Sequence, residues 1–426
     1  MKRIPLVAVV LLVIATMGVG PVVLSEQSAD HSQVETVGFE PSYAAQTQST
    51  QTIESGDGGV ISTLSIPAGS IERSDLRRQY ADIGPAAGID TGVTTDRLVT
   101  RSIEAELETA ETDDERLDRI DDELTELETR IIGLEDHQRE TIRAFNAGSI
   151  EARQLLEQLA IIHLRATTYR DRMAMLEASA EEIDNDALSD GRLQRIEYDL
   201  RMLESPLRAH LVDVLRAEKP ANRIIIETNN DELTLAAISD QTYIREVNRP
   251  GLRELGTPTL SADQPETITE QQYPVLWDRG TSWSSDGTGD VFMMSVNYPG
   301  GELRTFIDGV SEQTFIEQQR VPLAGINTGE TTSKVQDGLN VTVDQTYAGG
   351  PLRVTVTDIE TGEPAAATVT VGQQGQESQR VGTTDGAGVV WTVSPREPFT
   401  VTVLGEGTAA AFVDITPPAP ETALGQ

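Results

Sequence analysis

The spacing of apolar residues changes period once along this chain, and that change divides what it can fold into. Leu117, Ile120, Leu124, Leu127, Ile131 and Leu134 step alternately by three and four, the a/d stripe of a heptad repeat. Traced backward through Asp114, Ala110, Leu107 and Ile103, the stripe predicts a first helix from near Thr95, ended by Asn146 to Ser149. A second stripe runs through Leu159, Ile162, Ala166, Tyr169, Met173, Leu176, Ala180 and Ile183. After a polar break at Asp184 to Asp190, a third takes in Leu193, Ile196, Leu200, Leu203, Leu207, His210 and Val214, with Ser205-Pro206 set to cap a fresh turn or kink the helix. Short breaks between long amphipathic helices make antiparallel neighbours, so residues 92–218 are expected to form a three-helix coiled-coil bundle.

Past Lys219-Pro220 the period falls to two. Arg223 to Thr228 and Glu232 to Ile238, separated by Asn229-Asn230-Asp231, predict a hairpin, and Thr242 to Val247 a third strand. Arg249 to Thr269 reads as irregular. Strands are expected again at Tyr273 to Trp277, Asp290 to Asn297, Leu303 to Ile307 and Gln313 to Val321, giving an antiparallel β domain over 219–335. Six further strands between Leu339 and Ile415 predict a β-sandwich over 336–416, followed by a Pro-rich tail, 417–426. The whole is a multidomain α+β chain.

At the other end, Lys2 and Arg3 precede the uncharged apolar run Ile4 to Leu24, the pattern of a signal peptide or an N-terminal membrane anchor. Everything beyond it is then expected outside the cytoplasmic membrane, anchored or secreted. Residues 25–91 read as a disordered spacer containing one strand, Val60 to Ile66. We expect that strand to pair with the Arg223 to Val247 strands, which would make the helical bundle an insertion within one domain.

Charge sets the surroundings. There are 69 Asp and Glu against 33 Lys and Arg, a formal net charge of −36, and Lys2, Lys219 and Lys334 are the only lysines; there is no cysteine. So much like charge repels itself in dilute buffer. At about 1 M salt the screening length falls to about 3 Å and the repulsion is muted. The composition reads as adaptation to high salt, and it excludes nucleic acid as a partner, since phosphate binding needs a basic patch.

Within the last segment, Val354 to Val371 (VTVTDIETGEPAAATVTV) and Gly382 to Pro395 (GTTDGAGVVWTVSP) carry Thr361-Gly362 with Pro364, and Thr384-Asp385 with Gly388. These positions resemble the transthyretin-like, carboxypeptidase regulatory-like domain. The resemblance implies a sandwich used as a spacer, adhesion or accessory module. The remainder is similar to uncharacterised exported or membrane-anchored proteins of halophilic archaea.

Candidate sites are few, and none of the residues reads as catalytic. With Asp186 as position 1 of a calcium loop, Asp190 falls at position 5, Gly191 at 6 and Glu197 at 12, although Leu188 at position 3 supplies no oxygen. The competing reading is a polar turn that caps a helix. Asp286 and Asp290 flank Gly-Thr-Gly and could hold a cation; a Gly-rich turn is the competing reading. Calcium is the only cofactor these residues imply. Trp277 and Trp283, with Tyr273 and Tyr298, are candidates for a carbohydrate platform or for core. Asn340-Val341-Thr342 is a glycosylation sequon. The four histidines lack metal-ligand spacing. The expected function is therefore a non-catalytic envelope protein whose partners are other envelope proteins or cell-surface components, with self-association through the coiled coil. The alternative is an envelope hydrolase acting on polysaccharide or peptide near Trp277 to Asp290.

Overall fold

The computed structural model describes residues 51–54, 62–66, 71–75, 83–183, 188, 190–220, 223–374 and 376–418. The expected signal or anchor, most of the spacer and the end of the Pro-rich tail lie outside them. Among the described residues, no helix is long and apolar enough to cross a membrane.

Among the described residues the first half has five helices, not three: α1 Ile83–Glu108, α2 Asp113–Asn146, α3 Ala152–Glu181, α4 Asp190–Leu203 and α5 Pro206–Leu215. The extra boundaries are caps. Thr112 accepts a hydrogen bond from the Glu115 amide, and three acidic residues fill the first turn of α2, so the long heptad run restarts there. Ser205 accepts from the Arg208 amide ahead of Pro206 and separates α4 from α5. Helix α1 also begins well before the expected Thr95, inside the supposed spacer. Its Pro85 sits in the first turn, where a missing N–H leaves no bond unmade. The apolar stripes do face inward: Ile120, Leu124, Leu127, Ile131 and Leu134 pack with Leu176, Ile196 and Leu200. Helix α3 is central and packs against each of the other four.

The middle of the chain is an eight-stranded antiparallel sheet in the order β2-β3-β4-β5-β9-β8-β7-β6. The strands are β2 Ile71–Asp75, β3 Ile224–Asn229, β4 Glu232–Ser239, β5 Thr242–Asn248, β6 Ser282–Thr288, β7 Val291–Tyr298, β8 Gly301–Asp308 and β9 Thr314–Pro322. Asp240 and Gln241 both have positive φ in the two-residue turn between β4 and β5, the primed geometry that matches strand twist. Strand β2 pairs with β3, Ile71 opposite Thr228, so the helices lie between two neighbouring strands of one sheet. The inserted topology is as expected, but its strand is Ile71–Asp75 and not Val60 to Ile66. Residues 62–66 instead cross the face of the sheet, for a reason given below.

Two further expectations fail in the middle region. Tyr273 to Trp277 is not a strand: α6 Gln264–Gln272 and α7 Pro274–Asp278 each start with proline in the first turn. Part of the stretch expected to be irregular, up to Thr269, is thereby helical. Strand β6 gave no apolar alternation because it is a solvent-facing edge with the sequence SWSSDGT.

Period two dictates what each face of this sheet covers. Ile224, Ile226, Leu235 and Ile244 point to α3 and α5. Ile225, Ala236, Tyr243 and Val321 point the other way, to Tyr273, Leu276 and Tyr347.

The last region is a sandwich of two sheets. One is β1 Gln51–Glu54, β10 Glu330–Gln336, β11 Leu339–Gln345, β12 Pro351–Asp358 and β15 Val389–Val393; the other is β14 Gln379–Thr383, β13 Thr368–Gln373, β16 Phe399–Leu404 and β17 Ala410–Ile415. Valines at 341, 343, 354, 356, 369, 371, 401, 403 and 413 interdigitate between them. The sandwich starts at Glu330 and not at 336, because the polar strand ETTSKVQ pairs with β11.

Candidate functional site

The residues proposed from sequence scatter. Asp186 lies outside the described residues. Asp190 opens α4 and Glu197 lies one to two turns further on, where it is ion-paired with Arg201 at 2.5 Å. Asp286 is on the β6 edge and Asp290 in the following turn. Among the described residues, no group of three or more His, Asp or Glu side chains could hold a metal ion. Asn340 sits half-buried within β11, opposite Thr357. Of the four aromatics, Tyr273 and Tyr298 are core residues, while Trp277 and Trp283 stack with ring centres 5.0 Å apart and Trp283 is 47 % exposed.

Three sites of concentrated polar chemistry gave no sequence signal. Two lie back to back on β5, where Arg245 and Glu246 point to opposite faces. On the helix face, Glu246 accepts from the Arg208 Nε at 3.0 Å and from the Ser205 hydroxyl. Arg208 also donates to Gln138 Oε1 at 2.6 Å and to the Leu203 carbonyl at 3.1 Å. Both charges are at most 4 % exposed, and they join α2, α4 and α5 to the sheet.

On the outer face Arg245 pairs with Glu317, its diagonal neighbour on β9. This pair grips backbone. The Leu64 amide donates to Glu317 Oε2 at 2.5 Å, and Arg245 Nη2 donates to the Leu64 carbonyl at 2.6 Å. Gln319 holds the Ser62 carbonyl at 3.2 Å and Arg249 the Ser65 carbonyl at 2.9 Å. Leu64 and Ile66 pack on Val247. These side chains satisfy the Leu64 amide and the Ser62, Leu64 and Ser65 carbonyls, so residues 62–66 are tied to the sheet largely by side chains and not by a strand ladder. The Tyr273 hydroxyl donates to Glu317 Oε2 at 2.9 Å. Burial pushes the Glu317 carboxyl up, and Arg245, the Leu64 amide and Tyr273 pull it back.

The third is a cleft of about 320 Å³ where α2 and α4 meet the ends of β5 and β9. Met202, Leu203, Phe315 and Ile316 give it apolar surface. Glu135, Gln138 and Arg139 line it from α2, Asn248 from the end of β5, and Pro250, Arg253, Glu254 and Leu255 from the loop that follows. Burial raises the Glu135 carboxyl, against the pull of Arg253 and Arg139. Burial, then the charge of Glu135, pushes the neighbouring Asp199 of α4 up to about 7. A sequence full of carboxylates could not single these two out; only packing does.

His163, half-buried on α3, is pulled down to about 4 by desolvation and then by Arg208 and Arg170.

A helical layer on an antiparallel sheet, followed by a fibronectin-like sandwich, is the class this chain defines. Residues 1–219 match the family described as Domain of unknown function (DUF7096), and since that is more than half its length, the chain belongs to that family. Residues 224–327 match Family of unknown function (DUF7094), and 330–412 match the Archaeal fibronectin-III type-like domain. No curated protein and no solved structure matches the chain. The family boundaries at 219/224 and 327/330 fall where the helices give way to the sheet and the sheet to the sandwich.

Proposed function

We propose that the chain is a non-catalytic extracytoplasmic envelope protein. In salt-rich surroundings it presents its helical face and its C-terminal sandwich to other cell-surface components. The observation that carries this reading is how two deeply buried ion pairs are used. Arg208, Glu246, Arg245 and Glu317 are at most 4 % exposed and are committed to one another and to the chain's own backbone. Acid–base work needs a group within reach of a substrate proton, and these four bind helices, sheet and N-terminal segment into one body. The match of 330–412 to a fibronectin-III type-like domain is in keeping with the same reading, and the resemblance of Val354 to Val371 to a transthyretin-like domain implies an accessory module.

The lysine count supplies a test. Beyond the predicted anchor only Lys219 and Lys334 carry side-chain amines. A membrane-impermeant amine reagent applied to intact cells in their native salt is expected to label one or both. Carboxylate-directed cross-linking under the same conditions is expected to trap envelope components on the helical face or the sandwich. Labelling only after lysis would overturn the location, and adducts confined to small-molecule substrates or nutrients would overturn the role.

A further inference from the structure

The edge of a sheet presents unpaired N–H and C=O groups that can template another strand. Among the described residues this chain has six edge strands, and five of them are short or blunted. Strands β1, β2, β14 and β15 have four or five residues each. β2 carries Glu72, Arg73 and Asp75, and the Val393 carbonyl that ends β15 accepts from Arg223 at 2.7 Å. In the six-residue β17 the Phe412 amide donates to Gln336 Oε1 at 3.3 Å. β6 is different. It is the longest edge at seven residues, it pairs with β7 throughout without a bulge, and SWSSDGT contains no Lys, Arg or Pro. Ser282 to Asp286 are all exposed, and among the described residues no backbone group of β6 bonds outside the β7 ladder.

From this contrast we infer that β6 is a self-association edge. Two copies of the chain pair their β6 strands antiparallel about a two-fold axis and continue one sheet across both. The strand is complementary to itself. Paired residues share a face, so the full-length register sets Ser285 opposite its own copy, Ser284 opposite Asp286 and Trp283 opposite Gly287. On the helix face, to which Asp286 and its β7 neighbour Met293 point, a serine hydroxyl then meets each carboxylate. The two Asp286 side chains stay out of direct opposition, where like charges are destabilising. On the outer face Trp283 is 47 % exposed, with its ring 5.0 Å from that of Trp277. It meets the position of Gly287, over which the Phe292 ring lies, a Cβ there falling 2.5 Å from that ring. An aromatic cross-strand neighbour thereby covers apolar surface that one copy alone leaves in water. One carboxylate in seven residues allows close approach in a chain of net charge −36, and molar salt screens the remaining surface charge to about 3 Å. The inference does not rest on the envelope role, and either can fail alone.

A ladder this short belongs with weak, transient interfaces, below roughly 1,200 Å², so a covalent trap reads it best. The chain has no cysteine, and a single introduced one therefore reports on its own surroundings. In the full chain in molar potassium chloride, Ser285→Cys sets two thiols at the roughly 4.5–5.5 Å Cα spacing of directly opposite residues, which a disulfide spans. Ser284→Cys, also exposed, faces Asp286 instead. Under mild oxidation at micromolar protein, Ser285→Cys is expected to form a linked dimer about tenfold or more faster than Ser284→Cys. Adding Trp283→Lys, a charge on the edge, should slow that linkage about fivefold or more while the melting temperature holds. The unaltered chain gives a readout that needs no variant: hydrogen-exchange protection of amides 282–288 should rise with protein concentration, together with the sedimentation coefficient. Equal linkage rates at 284 and 285, a dimer undiminished by Trp283→Lys, or protection of 282–288 that is constant with concentration would overturn the inference.

Discussion

The two faces of β5 carry the same pair of residue types at the same depth, yet they hold different things. Arg208–Glu246 joins side chain to side chain, and only the Leu203 carbonyl among its partners is backbone. Arg245–Glu317 holds both the amide and the carbonyl of Leu64, on a segment that is not one of the sheet's eight strands. A buried ion pair is poor evidence for stability, because desolvation can exceed the attraction. What differs is the set of groups orphaned when each pair is lost. On the helix face a shape-matched apolar pair leaves few of them. On the outer face it strands a backbone donor and acceptor in the interior.

Single truncations give the largest expected effect and do not separate the faces. Arg208→Ala and Arg245→Ala each leave a buried carboxylate unpaired, and each is expected to cost about 3–5 kcal/mol by chemical denaturation in molar salt. Losses below about 1 kcal/mol would mean that water reaches these carboxylates.

Paired apolar replacement separates them. Arg208→Met with Glu246→Leu is expected to fall within about 1–2 kcal/mol of the native chain. Arg245→Met with Glu317→Leu should lose about 3 kcal/mol or more, since the Leu64 amide and carbonyl lose their partners. The second variant should also become cleavable by protease near 62–66 while the sandwich stays intact. Equal losses for the two variants would remove the distinction between the faces.

How much of this was legible beforehand follows from the same physics. The apolar period gave the helices, the sandwich and the inserted topology, because burial acts on every turn and every second residue. It ran the first stripe through Thr112, where a single hydroxyl capping an amide outweighs a continuing stripe, whereas the Ser205-Pro206 pair did mark the fresh helix start. It missed β6, which is an exposed edge, and misread Tyr273 to Trp277, where aromatics that line a sheet's face ride on short helices. The clamps and the cleft were invisible. Arg245, Glu317 and Glu135 look like any other charges in a chain with this many, and only long-range packing buries them.

The heptad register is tested next. Leu127 is fully buried against the helical core and Glu126 is exposed. Leu127→Asp buries an unpaired carboxylate and is expected to cost roughly 3 kcal/mol, whereas Glu126→Gln should stay within about 0.5 kcal/mol. Comparable melting shifts for the two would refute the assigned face.

A smaller effect depends on pH. Asp199 is pushed up to about 7 in the folded chain by burial and Glu135, with Glu128 adding and Arg253 and Arg195 opposing. An unfolded Asp titrates near 3.9. The folded state therefore binds the proton more tightly, so native stability is fullest below about pH 4 and declines as pH rises through about 7. Asp199→Asn removes that decline. Relative to the native chain the variant should gain about 1–2 kcal/mol at pH 8, after discounting for partial exposure, and nothing at pH 4. A gain that is constant with pH would show that Asp199 does not titrate in this range.

The smallest effect isolates burial itself. Arg192 on α4 is better connected than either buried arginine's partner: it reaches Asp121, Glu128 at 2.9 Å and the Thr125 hydroxyl at 2.9 Å, and so ties α4 to α2. The chemistry is the same guanidinium and carboxylate, but those carboxylates are 64 % and 37 % exposed. Exposed pairs are worth about 0–1 kcal/mol, and molar salt reduces even that. Arg192→Met is therefore expected to cost less than about 1 kcal/mol in dilute salt and to become indistinguishable from the native chain as salt rises, whereas the cost of Arg245→Ala should persist. A salt-independent loss of several kcal/mol at Arg192 would mean that connectivity, and not depth, sets the value of an arginine in this protein, and the contrast between the faces of β5 would then need another cause.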